Sequence, residues 1–124
     1  MVATVAFSGE WISRGVHRTV WGSMATGTSG APQSAPHLPD KTIYIGGTFS
    51  TGGTVSIQGS NDSVTMAPSS SSWSILTDAQ GDLITKTAEA IETIMENPVK
   101  IRPLVTSGDG STAIDVVMVC AGGQ

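Results

Sequence analysis

Along this chain apolar residues recur at a spacing of two, in short runs closed off by glycine, asparagine and aspartate. No other feature narrows the fold as much, because that period is the signature of strands with one buried face. In "KTIYIGGTF" Ile43 and Ile45 share a face and Tyr44 takes the other. In "TVSIQGS" Val55 and Ile57 lie opposite Ser56 and Gln58. "VKIRPLV" sets Val99, Ile101 and Val105 against Lys100 and Arg102, and Pro103, which lacks a ladder donor, predicts an edge position or a bend. In "TAIDVVMVC" the inner set is Ile114, Val116, Met118 and Cys120, yet Val117 and Val119 make the opposite face apolar as well. Such a strand is central, or a partner covers it.

The punctuation agrees with this reading. Gly52 and Gly53 are suited to a hairpin turn after "KTIYIGGTF", and Asp109 and Gly110 to another before the last strand. "ATVAF" and "GVHRTVW" read as two earlier strands. The Gly/Pro/Ser-rich stretch from Met24 to Asp40, residues 24–40, predicts a long surface loop or an arm laid over a neighbour. At residues 87–97 Ala88, Ile91, Ile94 and Met95 have helical spacing, Thr87 could cap the start and Asn97-Pro98 could stop it. One short helix is expected there, with an irregular extended segment as the alternative.

Seven or eight short strands in 124 residues predict a single all-β domain over 1–124, a β-sandwich of jelly-roll type. Its inner face is predicted from Ile43, Ile45, Val55, Ile57, Trp73, Ile101, Val105, Ile114, Val116 and Met118. At 39% apolar and 13% charged residues the charged surface is thin for a free monomer, which points to contact with other subunits.

Several functions have no support in these residues. The net charge is −4 and the six basic side chains, Arg14, Arg18, Lys41, Lys86, Lys100 and Arg102, are scattered, so no nucleic-acid partner is expected. Three tryptophans, one tyrosine and two phenylalanines are too few for a base-stacking platform. No run approaches the ~18 apolar residues of a membrane-spanning helix, and no membrane partner is expected. The start "MVATVAFSGEW" has neither a basic nor a long apolar region, so folding in a reducing cytoplasm is expected, with the lone Cys120 as a core residue. His17 and His37 lie in different contexts without a second ligand at metal spacing, and no metal or other cofactor is expected. Asp40 near His37 has no nucleophile elbow to serve, the glycines of "GDG" are turn residues, and no catalytic residue is assigned; the chain is not expected to be an enzyme. Asp109 is better explained by its turn than by calcium. Asn61, Asp62 and Ser63 fit a glycosylation pattern, but turn chemistry accounts for them at least as well. The loop from Ser60 to Ser72 is expected to be chiefly a connection.

Two resemblances add to this. "VSIQGSND", then "WSILTD", then "VKIRPLVT" resemble discoidin-type galactose-binding sandwiches over roughly Val55 to Thr106. That resemblance implies a carbohydrate-binding module with Trp73 and the loop from Ser60 to Ser72 as the glycan contact, against the commoner role of a tryptophan in core or rim packing. The longer succession from "DKTIYIGGTFSTGGTVSIQGSND" to "GSTAIDVVMV" resembles small virion proteins of tailed bacteriophages, usually encoded with the head genes. In that setting small β-sandwiches serve as capsid decoration or cement proteins. It implies the major capsid protein and other copies of this chain as partners, a homotrimer on the outer capsid surface, and assembly in the host cytoplasm. Trp11, Trp21, Pro32, Pro36 and Leu38 are then the candidate intersubunit contacts. A tail or neck component is the alternative virion role.

Overall fold

The computed structural model describes residues 3–62 and 72–122. Among these the chain forms β1 (Ala3–Val5), β2 (Phe7–Ser13), β3 (Val16–Met24), β4 (Thr28–Gly30), β5 (Asp40–Thr48), β6 (Thr54–Ser60), β7 (Ser74–Ile75), β8 (Thr85–Lys86), β9 (Ala90–Ile94), β10 (Lys100–Ser107) and β11 (Ala113–Ala121). One sheet has the order β1-β4-β10-β6-β7, with β8 also on β6, and the other the order β2-β3-β11-β5-β9. Neighbours are antiparallel except β1 and β4. From β3 onward each connection changes sheet, apart from those within the group β6, β7 and β8.

The two sheets pack as a sandwich because their alternating strands each turn one apolar face inward. All ten residues expected at the inner face are buried, and nine of them form one cluster with Trp21, Met24, Leu38, Leu76, Ile84, Ile94 and Cys120. Trp73 is the exception. It is buried outside that cluster, with its ring under the guanidinium of Arg102. Register pairs Lys100 with Ser60 and Arg102 with Gln58, so these side chains point away from Ile101 and Val105. The stack therefore lies on the outer face of its sheet.

Other expectations are corrected too. Residues 87–97 contain the strand β9 rather than a helix, and no α-helix occurs among the described residues. Ile94 points into the core while Ile91 and Met95 are exposed, so the helical set never shares a face. Pairing to β5 satisfies the backbone of this β-branched stretch along a sheet edge, which outweighs a short helix with one weak apolar stripe.

Pro103 is not at an edge. Its strand β10 lies between β4 and β6. The amide of Ile101 donates toward Gln33, so by alternation the nitrogen of Pro103 also faces the β4 side, where the register holds a single pair, Leu104 with Ser29. The missing donor falls where the ladder is already interrupted.

The two glycine turns are bridges between sheets and not hairpins, since β5 and β6 lie in different sheets, as do β10 and β11. The left-handed positions are Ser50 and Gly52 in the first, and Gly108 in the second. Nor is 24–40 a free arm. It contributes β4 to its own sheet, Gln33 bridges Ile101 in both directions, and Ala35 and Leu38 are buried. Lys41 Nζ donates to the Leu38 carbonyl at 2.9 Å and to Asn97 Oδ1, while Asn97 Nδ2 donates to the Pro36 carbonyl at 2.9 Å. The segment is fastened over this chain's own core.

Candidate functional site

β11 is the middle strand of its sheet, and its inner residues Val116, Met118 and Cys120 are fully buried. Val117 and Val119 therefore project from the opposite face. Register places Val20 and Tyr44 on either side of Val117, and Ile91 beyond Tyr44. Val20, Val117, Tyr44 and Ile91 form one apolar row across four strands, about 14 Å long at ordinary strand spacing. Ile91, at its end on the edge strand, is 68% exposed.

The borders of this row are polar. On one side Arg18 Nη1 lies 3.2 Å from Glu10 Oε1, next to Val119. On the other Asp115 Oδ1 accepts the Ser23 amide hydrogen at 2.8 Å. The Tyr44 ring folds along its strand over Gly46, where an added Cβ would come within 2.2 Å of the phenol oxygen. Its hydroxyl donates to Glu89 Oε2 at 2.5 Å, and that bond raises the phenol's pKa above its usual value. An apolar centre within a polar border is the anatomy of a protein–protein contact.

The opposite outer face carries the Trp73 stack. Arg102 Cζ lies 4.2 Å from the ring centroid and Nε donates to Gln58 Oε1 at 3.0 Å. Burial lowers the guanidinium pKa. The indole is only 7% exposed with one face taken by Arg102, so it offers no open surface for a sugar ring. Of the loop from Ser60 to Ser72, residues 63–71 lie outside the described residues. Asn61 Oδ1 accepts the Val99 amide hydrogen at 3.2 Å, which ties the start of that loop to the residue preceding β10.

The other expected contact residues separate by burial. Trp21 is fully buried, with Nε1 donating to the Ala31 carbonyl at 2.9 Å, and Leu38 is buried in the core cluster. Neither presents a surface to another subunit, because tertiary packing turned both inward. Pro32 and Pro36 are exposed, as is Trp11.

Trp11 also reveals what sequence order concealed. It pairs with His17 across the β2–β3 hairpin at 4.9 Å between ring centroids, and His37 reaches the same cleft from the 31–38 segment. The turn at Arg14-Gly15, with Gly15 at φ +76°, was the local signal for that hairpin. No signal in the sequence joined His37 to it. Among the described residues no three His, Cys, Asp or Glu side chains converge as a metal site.

The chain matches no family model, no curated protein and no solved structure.

Proposed function

We propose that this chain is a bacteriophage virion structural protein, a decoration or cement subunit that binds the outer shell between major capsid subunits as a homotrimer. The row Val20–Val117–Tyr44–Ile91 carries this reading: it gives a sheet whose inner face is already filled a second apolar face directed outward. Contiguous outward apolar surface of this kind is a common mark of protein–protein contact, and an assembly subunit would bury it. The resemblance of the 40–119 stretch to small virion proteins is what makes the assembly a virion.

The strand order supports the finer part of the reading. With β1 and β2 set aside, β3-β11-β5-β9 faces β4-β10-β6-β7, and the connections alternate between the sheets as in two interlocked Greek keys. We read this as a jelly roll, an architecture used in viral shells. Binding at lattice sites absent from free capsid subunits would stabilise the assembled shell by mass action.

Electron cryo-microscopy of the virion tests the function. Density for this chain at threefold or quasi-threefold positions on the outer shell is the expected result. Finding it only in the tail, neck or baseplate overturns the decoration role and leaves the tail or neck alternative.

A further inference from the structure

Beyond the assembly role, we propose that the cleft between the β2–β3 hairpin and the 31–38 segment is a binding site for one neutral pyranose, with the indole of Trp11 as its stacking surface. Three observations carry this. The first is the state of the ring: Trp11 is 59% exposed, while Trp21 and Trp73 are buried, and its contact with His17 is edge-on at 75°, which leaves an indole face uncovered. The C–H face of a pyranose suits such a surface, since an aromatic ring offers a flat apolar area beside polar groups.

The second is preorganisation. A Cβ at Gly9 would come within 2.7 Å of His17 Cε1, so the imidazole lies across the bare backbone of β2. Buried Thr19 fixes that ring through Nδ1 at 3.3 Å and receives Gln33 Nε2 at 2.9 Å from the facing wall. Gln33 is in turn locked to Ile101 by two backbone hydrogen bonds, and Leu38 is held by Lys41. Both walls are thus set before a ligand arrives, which reduces the ordering cost of binding.

The third is size and charge. The cleft measures about 210 Å³, below the roughly 300 Å³ at which drug-sized pockets begin, and so suits one ring rather than a chain. With Nδ1 of His17 engaged and its Nε2 lying against the backbone at Gly9, His37 and Ser34 are the polar lining residues left to meet sugar hydroxyls. No lysine or arginine lines the cleft, and the chain is acidic overall, so an anionic sugar is disfavoured.

The test uses the indole N–H signals of the ¹⁵N-labelled protein, with the Trp11 signal assigned from Trp11→Phe. Neutral methyl pyranosides of galacto, gluco and manno configuration are titrated in, followed by sialic acid and a sulfated monosaccharide. At least one neutral pyranoside should shift the Trp11 signal saturably and leave Trp21 unmoved. Trp11→Ala should weaken binding about tenfold, read by saturation transfer to the sugar, and His37→Ala should weaken it several-fold. The proposal is overturned if no neutral pyranoside moves the signal, if saturation transfer persists undiminished in Trp11→Ala, or if the anionic sugars bind more tightly. Val117→Asp should leave the titration unchanged, so failure here and failure of the assembly reading are separate results.

Discussion

The guanidinium of Arg102 lies over Trp73, 4.2 Å from Cζ to the ring centroid, and joins β10 to the segment that leads into β7 across the intervening β6. A partly desolvated cation–π contact contributes about 0.5–2 kcal/mol. Arg102→Ala should therefore lower unfolding free energy by about 1–2 kcal/mol in urea titrations. Arg102→Lys should recover less than half, because an ammonium has no planar face to stack. If both variants unfold with the wild type, the stack contributes nothing to stability.

Asp109 fastens the two inter-sheet turns together. Its carboxylate accepts hydrogen bonds from the Ser111 amide at 2.9 Å, the Ser50 hydroxyl at 2.8 Å and the Thr51 amide at 3.3 Å, and these hold its pKa below the usual carboxylate value, the Ser111 amide most of all. A carboxyl depressed in the folded state adds stability that is complete above its unfolded pKa and is lost as pH falls through the folded one. Asp109→Asn should lower the melting temperature at neutral pH, and the difference from wild type should shrink on the acid side. A constant difference from pH 7 down to pH 2 would mean that the carboxylate charge has no part in it.

Lys86 Nζ and Glu92 Oε2, 2.8 Å apart, close the open side of the sandwich, since β8 and β9 belong to different sheets. The hydrogen bond that Lys86 donates to the Glu92 carboxylate raises the Lys86 pKa. The pair's stabilisation is present below the unfolded lysine pKa and disappears as pH rises through the higher folded value. Both side chains are about a quarter exposed, which keeps the expected loss for Glu92→Gln to about 0.5–1 kcal/mol. Molar salt should erase most of that loss, and the exchange Lys86→Glu with Glu92→Lys should restore it. A loss of the same size in low and high salt would assign the effect to packing.

Val117→Asp places a charge in the middle of the outward apolar row while the inner face stays intact. The variant should keep the wild-type far-ultraviolet circular dichroism and melt within a few degrees of it. Under the proposed decoration role, binding to capsids that lack the protein, measured by cosedimentation, should fall at least tenfold, because a buried unpaired carboxylate costs several kcal/mol. Undiminished cosedimentation would remove this face from the interface.

Much of the interior was legible from the chain alone. Alternation at period two singled out Ile43, Ile45, Val55, Ile57, Ile101, Val105, Ile114, Val116 and Met118, all of them in the core, because a strand with one wet face must bury every second residue. It also showed that β11 is apolar on both sides and so either central or covered by a partner; the structure makes it the middle strand of its sheet. The same rule says nothing about which sheet a strand joins or which element crosses it. Trp21 turned inward because the 31–38 segment folded over this chain's own core, carrying Leu38 into it, and β9 became a strand because β5 offered it an edge. Trp73 left the core for Arg102, and Pro103 entered a central strand where a one-pair neighbour made its missing donor cheap. Trp11, His17 and His37 met in one cleft across a turn and a sheet-to-sheet crossing. These outcomes depend on contacts between residues distant in sequence, whereas local periodicity fixes only the direction in which each side chain points.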